Sequence, residues 1–234
     1  MKISDIEVTL IDHMGSDLSV VNAARVSFHK TSEWEWNLQP EFRGSEDMVE
    51  KASLSDKDTK LINYLAKHKH FSPFNHAFMT FRIKAPIFVA RQLVKHKFMP
   101  WNEVSRRYVD EEPEFYFPEK WRAKAENVKQ GSSDSPVEDS AMFHSISVEY
   151  CKEGVATYNN MLACGVAPEQ ARMLLPQNMM TEWMWSGTLG AYADMLKLRL
   201  DPHTQYESRI VAEKVVERVR ELFPVSINAL LENK

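Results

Sequence analysis

A helix-rich α+β fold with a small, mostly antiparallel curved sheet is the class that the 234-residue sequence predicts, and three observations carry it. Long stretches of the second half repeat apolar residues at helical spacing. Ala77 to Ala85 instead alternates Met79, Phe81 and Ile83 with Thr80, Arg82 and Lys84, the period of a strand with one buried face. With only 7 glycines and no Gly-rich turn after a strand, a doubly wound dinucleotide fold does not fit, so any dinucleotide must be held by side chains.

Composition narrows the function. The chain is 44% hydrophobic and 26% charged, enough for one domain over 1–234 with a sizeable core. A net charge of -4 excludes coating of nucleic acid or anionic membrane by bulk electrostatics, so anion binding must be local. No run reaches the ~20 apolar residues that span a bilayer, and the opening MKISDIEVTLID has no signal-peptide pattern, so the expected address is the cytoplasm. Cys151 and Cys164 alone make neither a disulfide framework nor a metal finger.

In chain order, IEVTLID is a strand that can complete the sheet, and Asp17 opens a helix over LSVVNAARVSF. Residues 30–56 and 119–139 are surface insertions, the second containing the loop-like KQGSSDSPVED. Ser55 and Asp58 form a capping box for the helix over TKLINYLAKH. After the strand, Pro86 suits the first turn of a helix, IFVARQLVKHK, with Ile87, Ala90 and Val94 on one face. Helices follow at about Glu138 to Ala163, ended by Gly165, at Pro168 to Leu175, stopped by Pro176, at Leu189 to Leu198, and at Pro202 to Leu222. Val211, Val215, Val219 and Leu222 stripe the last one.

The densest polar stretch, RQLVKHKFMPWNEVSRRY, joins Arg91, Lys95, Lys97, Arg106 and Arg107 to Gln92, His96, Asn102, Glu103 and Ser105. Guanidinium forks and a hydroxyl suit a phosphate, and a carboxylate among them suits a sugar hydroxyl, which together is a nucleotide-shaped arrangement. HKHFSPFNH gathers His68, His70 and His76, but lacks nearby Cys or carboxylate ligands, so a bound cofactor's hydrogen-bond or ring partner is favoured over a metal at His70. ARMLLPQNMMTEWMWSGTLGAYADMLKLRLDPHTQYESR reads as an aromatic, Met-rich helix pair, and Arg172 and Arg199 within it must find an anion or an acceptor.

FVARQLVKHKFMPWNEVSRRY resembles the motif of the flavin-dependent thymidylate synthases, R-H-R, seven residues, then S, with N-E-x-S-x-R inside. NAARVSF, HxSPFxH, KAPIFVARQ, ARMLLP and LRLDPHTQYE extend the resemblance in order along the chain. The resemblance implies FAD as cofactor, with NADPH and 5,10-methylenetetrahydrofolate as co-substrates for methylating dUMP at C5. It implies dUMP contacts at Gln92, Glu103, Ser105, Arg106, Arg107, Arg172 and Arg199, with Arg199, His70 and Ser105 in catalytic roles. FAD contacts fall on Ser27, His70, Ser72, Lys95, His96, Lys97, Asn102 and Asp194. It also implies a homotetramer with sites where subunits meet; charge, hydropathy and the His cluster themselves give no expectation of a nucleic-acid, membrane or metal partner. The chain departs from the family at Lys95 and Lys97, which replace arginines and lose the planar fork, at Thr188, Leu189 and Gly190, which replace N-A-R, and at Asp194, which replaces an amide. Arg106 stands where a small residue is common. Two alternatives stay open: a flavin-dependent dUMP hydroxymethylase, and a nucleotide- or RNA-binding module without flavin chemistry.

Overall fold

The computed structural model of the chain describes residues 1–40, 47–109, 111–126 and 131–232. In chain order the elements are β1 (Lys2–Ile3), β2 (Glu7–Met14), α1 (Asp17–Arg25), β3 (Glu35–Pro40), β4 (Met48–Ser53), α2 (Asp56–Lys67), β5 (Phe78–Pro86), α3 (Ile87–Leu93), β6 (Trp101–Glu103), β7 (Glu114–Phe115), β8 (Arg122–Lys124) and β9 (Ser132–Pro136). They continue with α4 (Ser140–Ala163), α5 (Pro168–Ala171), β10 (Met180–Thr188), α6 (Leu189–Arg199), α7 (Tyr206–Leu222) and α8 (Pro224–Glu232). The class is α+β and helix-rich, as the sequence predicts. A four-stranded sheet orders its strands β2-β5-β10-β6, and three two-stranded pairs accompany it: β1-β7, parallel, and the antiparallel β3-β4 and β8-β9.

The chain divides into two compact units, each made of separated segments. The first combines Met1–Ile11, Thr80–Ser186 and Leu198–Val215. Its sheet turns Phe81 and Ile83 of β5 and Trp183 and Trp185 of β10 to the core, all at or below 1% exposure, as strand alternation requires. A second apolar cluster joins Phe115, Phe117, Cys151, Tyr158, Leu175 and Met179 beneath α4 and α5. Gly165, at φ +85, ends α4 in the left-handed conformation that favours glycine.

The second unit combines Asp12–Met79, Gly187–Lys197 and Val216–Lys234. Here α2 packs on α8 and α1, with Val20, Val21, Ile62, Leu65, Ile227 and Leu230 buried. Ser55 caps α2 as expected: its hydroxyl accepts from the Asp58 N–H at 3.1 Å and donates to the Asp58 carboxylate at 2.9 Å. Asp58 also accepts from Arg25 Nε at 2.9 Å and Ser32 Oγ at 3.0 Å. Burial would raise that carboxyl's pKa, but the Arg25, Ser55 and Ser32 donors outweigh it and hold it below the ordinary carboxylate value. Asp17 lies inside α1, whose cap is Ser16, and its carboxylate instead accepts from the Val225 and Ser226 N–H groups at 2.8 and 2.9 Å, closing the first turn of α8. Burial pushes the Asp17 carboxyl above its ordinary pKa despite these donors.

Several sequence expectations are corrected. Met180–Thr188 is a strand rather than part of a helix pair, and its alternation of buried Thr181, Trp183 and Trp185 with Glu182, Met184 and Ser186 is a period of two. The helix expected through Lys97 stops at Leu93, Pro86 caps it from outside, and Val94 is exposed while Val89, Ala90 and Leu93 are buried. The KQGSSDSPVED stretch contains β9, paired with β8, and Glu35–Pro40 pairs with Met48–Ser53; residues 41–46 and 127–130 of the expected insertions lie outside the described residues. The last expected helix begins at Tyr206 rather than Pro202, buries Phe223 beyond it rather than Leu222 in the stripe, and is followed by the unforeseen α8.

Candidate nucleotide site

The first unit carries an open cleft of about 870 Å³ lined by Arg82, Lys84, Arg91, Arg106 and Arg172 on the cationic side. Glu103, Glu111, Glu112, Glu114, Glu169 and Glu182 share its walls, so net charge there is not basic. Several cations are already committed. Arg82 pairs with Glu182, Lys84 with Glu114 at 2.5 Å, and Arg106 donates to the Glu111 carbonyl. Arg172 donates to the Glu169 carbonyl at 3.3 Å, a neutral acceptor that leaves its charge uncancelled. It sits on the turn Arg172–Leu174 that follows α5, exposed toward the cleft.

The edge strand β6 positions the next group. It pairs antiparallel with β10, Trp183 facing Glu103, Met184 facing Asn102 and Trp185 facing Trp101. Alternation therefore sends Glu103 and Asn102, neighbours in sequence, to opposite faces of the sheet. Glu103 points to the Trp183 face, where its two oxygens accept from Thr181 Oγ1 at 2.9 Å and Trp101 Nε1 at 3.1 Å. Beyond β6 the chain turns through Ser105, whose hydroxyl accepts from the Arg107 side chain at 3.2 Å, and Arg107 stacks its guanidinium 5.0 Å over the Tyr108 ring.

Of the seven residues expected at a nucleotide, all belong to the first unit. Glu103, Arg106 and Arg172 line the cleft, and Ser105 and Arg107 occupy the same turn as Arg106, while Gln92 and Arg199 do not line it. Gln92 accepts from the buried Ser208 hydroxyl. Arg199, at the end of α6, donates Nε–H to His96 Nε2 at 3.0 Å. Burial and then the Arg199 charge lower the His96 pKa to about 4, so the ring is neutral near pH 7 and free to accept.

The residues expected at a flavin divide between the units: Lys95, His96, Lys97 and Asn102 in the first, Ser27, His70, Ser72 and Asp194 in the second. His70 follows α2 and its ring lies 6.0 Å from Tyr64 and 6.5 Å from His68, an exposed aromatic group. Among the described residues, three non-glycine residues have positive φ: His29, Lys69 and Phe98 at 52, 57 and 60°. Each lies within two positions of an expected flavin contact, Ser27, His70 or Lys97. Such conformations cost about 1 kcal/mol or more, and they collect where backbone geometry serves a site. Among the described residues, no three His, Cys, Asp or Glu gather as metal ligands.

The donor set of the first unit fits a flavin dinucleotide at its charged end. The exposed Lys95 and Lys97 ammonium groups on the open turn after α3 suit a pyrophosphate. At 188–190 the fit fails. Thr188 Oγ1 hydrogen-bonds Asn75 at 2.8 Å and accepts from the Ala191 N–H, and Leu189 is fully buried. A Cβ at Gly190 would stand 2.7 Å from Asn75 Oδ1, so a larger residue there would displace the Asn75 side chain that Thr188 holds.

An oriented carboxylate, a hydroxyl and clustered guanidinium groups beside a cleft, on a helix-rich scaffold with no glycine phosphate loop, are chemistry that suits a small phosphorylated, hydroxyl-bearing molecule. The comparisons with known proteins give that class a family. Residues 9–225 match the family described as thymidylate synthase complementing protein. The chain is 38% identical over 226 residues to the flavin-dependent thymidylate synthase of Thermus thermophilus, covering 97% of this chain and 76% of the relative. It is 37% identical to the enzyme of the same name from Ehrlichia ruminantium, covering 96% and 70%. The crystal structure of the UMP/dUMP methylase PolB from Streptomyces cacaoi, bound with 5-Br dUMP, superposes with a TM-score of 0.82 at 29% identity, covering 99% of this chain and 97% of that one. The chain belongs to the flavin-dependent thymidylate synthase family. Membership makes it an enzyme of the flavin-dependent methyltransferase kind, in a family whose cofactor is FAD. Among the described residues, no helix is long and apolar enough to cross a membrane.

Two residues at this site, Thr181 and Trp101, are not among those the sequence singles out. The alternation of Met180–Ser186 places Thr181 on the face of Trp183, but nothing in sequence fixes the partner strand.

Proposed function

We propose that this protein transfers the methylene carbon of 5,10-methylenetetrahydrofolate to C5 of dUMP and yields dTMP, with NADPH as reductant. The observation that carries the reading is that all seven residues expected at the nucleotide fall in one unit, each already held by a hydrogen bond from its own surroundings. Arg106, Arg107 and Arg172 anchor the phosphate with forked donors, Ser105 adds its hydroxyl, and Glu103 accepts from the nucleoside. Arg199 places positive charge where negative charge develops on the pyrimidine oxygen during attack at C5. Neutral His96 accepts one of its N–H groups and leaves the rest for that oxygen. Lys95 and Lys97 would hold the FAD pyrophosphate, and the resemblance assigns further flavin contacts to His96, Asn102, Ser27, Ser72 and Asp194, with His70 beside the ring. FAD supplies the hydride and one-carbon chemistry that no side chain here performs.

We further infer a homotetramer in the cytoplasm, its sites completed across subunits. Phe98, Tyr108 and Met173 are 87%, 76% and 74% exposed, beside Lys97, Arg107 and Arg172, and a subunit contact there would bury them next to the cations. Subunit pairing also accounts for Arg199 standing apart from the cleft that Arg172 lines. The test is incubation of the purified protein with FAD, dUMP, methylenetetrahydrofolate and NADPH, with mass spectrometry of the nucleotide. The expected mass is that of dTMP; a 5-hydroxymethyl nucleotide or unchanged dUMP would refute the reading.

A further inference from the structure

Among the described residues, Glu103 is the one carboxylate of the cleft whose two oxygens are both fixed by uncharged donors. Thr181 Oγ1 holds Oε1 at 2.9 Å and Trp101 Nε1 holds Oε2 at 3.1 Å. The other cleft carboxylates with side-chain partners, Glu182, Glu114 and Glu112, are neutralised by Arg82, Lys84 and the N-terminal ammonium. Glu103 thus keeps its charge and its remaining lone pairs while losing its freedom to rotate.

The sheet builds this clamp. Trp101 and Glu103 are two apart on β6 and share a face, and Thr181 on β10 is the diagonal neighbour of Glu103 through the Trp183–Glu103 pair. The Val104 N–H closes the pairing on the Glu182 carbonyl at 2.9 Å. Trp101 is itself immobilised, its ring stacked on Trp183 at 4.4 Å and 18° and set edge-on to Trp185 at 5.8 Å. Thr181 is 8% exposed and β-branched, so its hydroxyl has few other directions to take. A carboxylate aimed in this way selects a ligand that presents an N–H or O–H donor at one place, which pyrimidine nucleotides do through the imide N–H or the sugar hydroxyl.

We propose that Thr181 and Trp101 are positioning residues that act through Glu103 to set the affinity for the pyrimidine nucleotide; this rests on the reading of the site as the dUMP site. The test compares wild type, Thr181→Val, Thr181→Ser, Trp101→Phe, Glu103→Ala and the Thr181→Val/Glu103→Ala double variant, all loaded with FAD. Steady-state kinetics are measured with dUMP and thermal midpoints are taken for each. Thr181→Val is expected to raise KM for dUMP about tenfold with kcat within about threefold, and Trp101→Phe to raise it about threefold, since the lost contacts serve ground state and transition state alike. Thr181→Ser is expected to restore wild-type KM. In the Glu103→Ala background, Thr181→Val is expected to change kcat/KM less than about twofold, because its route of action is gone. A Thr181→Val enzyme with wild-type KM, a serine variant that fails to restore it, or a full tenfold loss on top of Glu103→Ala would each overturn the proposal. A fold-wide effect of the valine shows as a fall in thermal midpoint with kcat and KM changed together, which also overturns it. A wild-type protein that makes no dTMP refutes the dUMP reading and this one with it, whereas an active wild type with an unmoved Thr181→Val refutes the positioning role alone.

Discussion

Glu103 has both oxygens occupied by donors from its own sheet, whereas Lys95 and Lys97, a few residues earlier, end on an exposed turn with no side-chain partner among the described residues. The contrast extends to both sets. Gln92, Ser105, Arg106, Arg107, Arg172 and Arg199 each make a hydrogen bond within the first unit. Among the described residues, Ser27, Ser72, Asn102 and Asp194 make no side-chain hydrogen bond, and they are spread over both units. His96 is the exception, tied to Arg199. Side chains already ordered lose little rotamer entropy on binding, while free lysines lose up to about 2 kcal/mol each. The proposed nucleotide side is thus preorganised, and the proposed flavin side would be ordered by what it binds.

Breaking the preorganised side has the largest effect. Arg199→Ala is expected to lower turnover about a hundredfold or more, as loss of a charged donor at developing charge does, and Arg107→Ala to lower kcat/KM about as much through loss of a phosphate anchor. Steady-state assays with dUMP check this, and a wild-type rate in either variant would remove that residue from the machinery. Tightening the loose side comes next. Lys95→Arg with Lys97→Arg restores two planar forks, and FAD affinity is expected to rise about tenfold with dUMP affinity unchanged. Flavin fluorescence titration reads the first arm and calorimetry with dUMP the second; an unchanged FAD affinity would place the phosphates elsewhere.

Smaller effects sharpen the same contrast. The folded-state pKa of His96 is depressed to about 4 from 6.5, so the unfolded chain binds more protons between those values. The stability that depends on neutral His96 is therefore complete above pH 6.5 and is lost as pH falls toward 4. Denaturant melts at about pH 7 and pH 5, spanning that window, are expected to show a smaller loss in His96→Gln, whose amide oxygen still accepts from Arg199; an equal loss would free His96 from that role. Smallest is Lys69→Gly at φ 57, beside His70. Glycine removes the left-handed cost but adds unfolded-state entropy, so about 0.5 kcal/mol of stabilisation is expected in the same melts.

Local pattern alone makes much of this molecule legible. The alternation of Met79, Phe81 and Ile83, the Ser55–Asp58 cap and the Gly165 stop are each decided within a few residues, and the structure has them. The Lys95–Arg107 stretch stands out for the same reason, as dense polar chemistry in consecutive residues. Met180–Thr188 is not legible in this way because Trp and Met suit helix cores as readily as strands, and its place between β5 and Trp101–Glu103 in the sheet decides between them. That pairing also splits Asn102 from Glu103 and joins Thr181 to Glu103 across 78 residues, facts that depend on register rather than on spacing. The close approach of Asn75 to Gly190 likewise joins residues far apart in sequence.

The most direct test of the division is a pair of variants assayed for both ligands. Calorimetry with dUMP and absorbance of retained flavin are measured on Arg107→Ala and on Lys95→Ala/Lys97→Ala. Arg107→Ala is expected to weaken dUMP binding more than about tenfold while keeping its flavin band, and the lysine variant to lose flavin while still binding dUMP. Equal loss of both ligands in both variants would contradict two separately built halves.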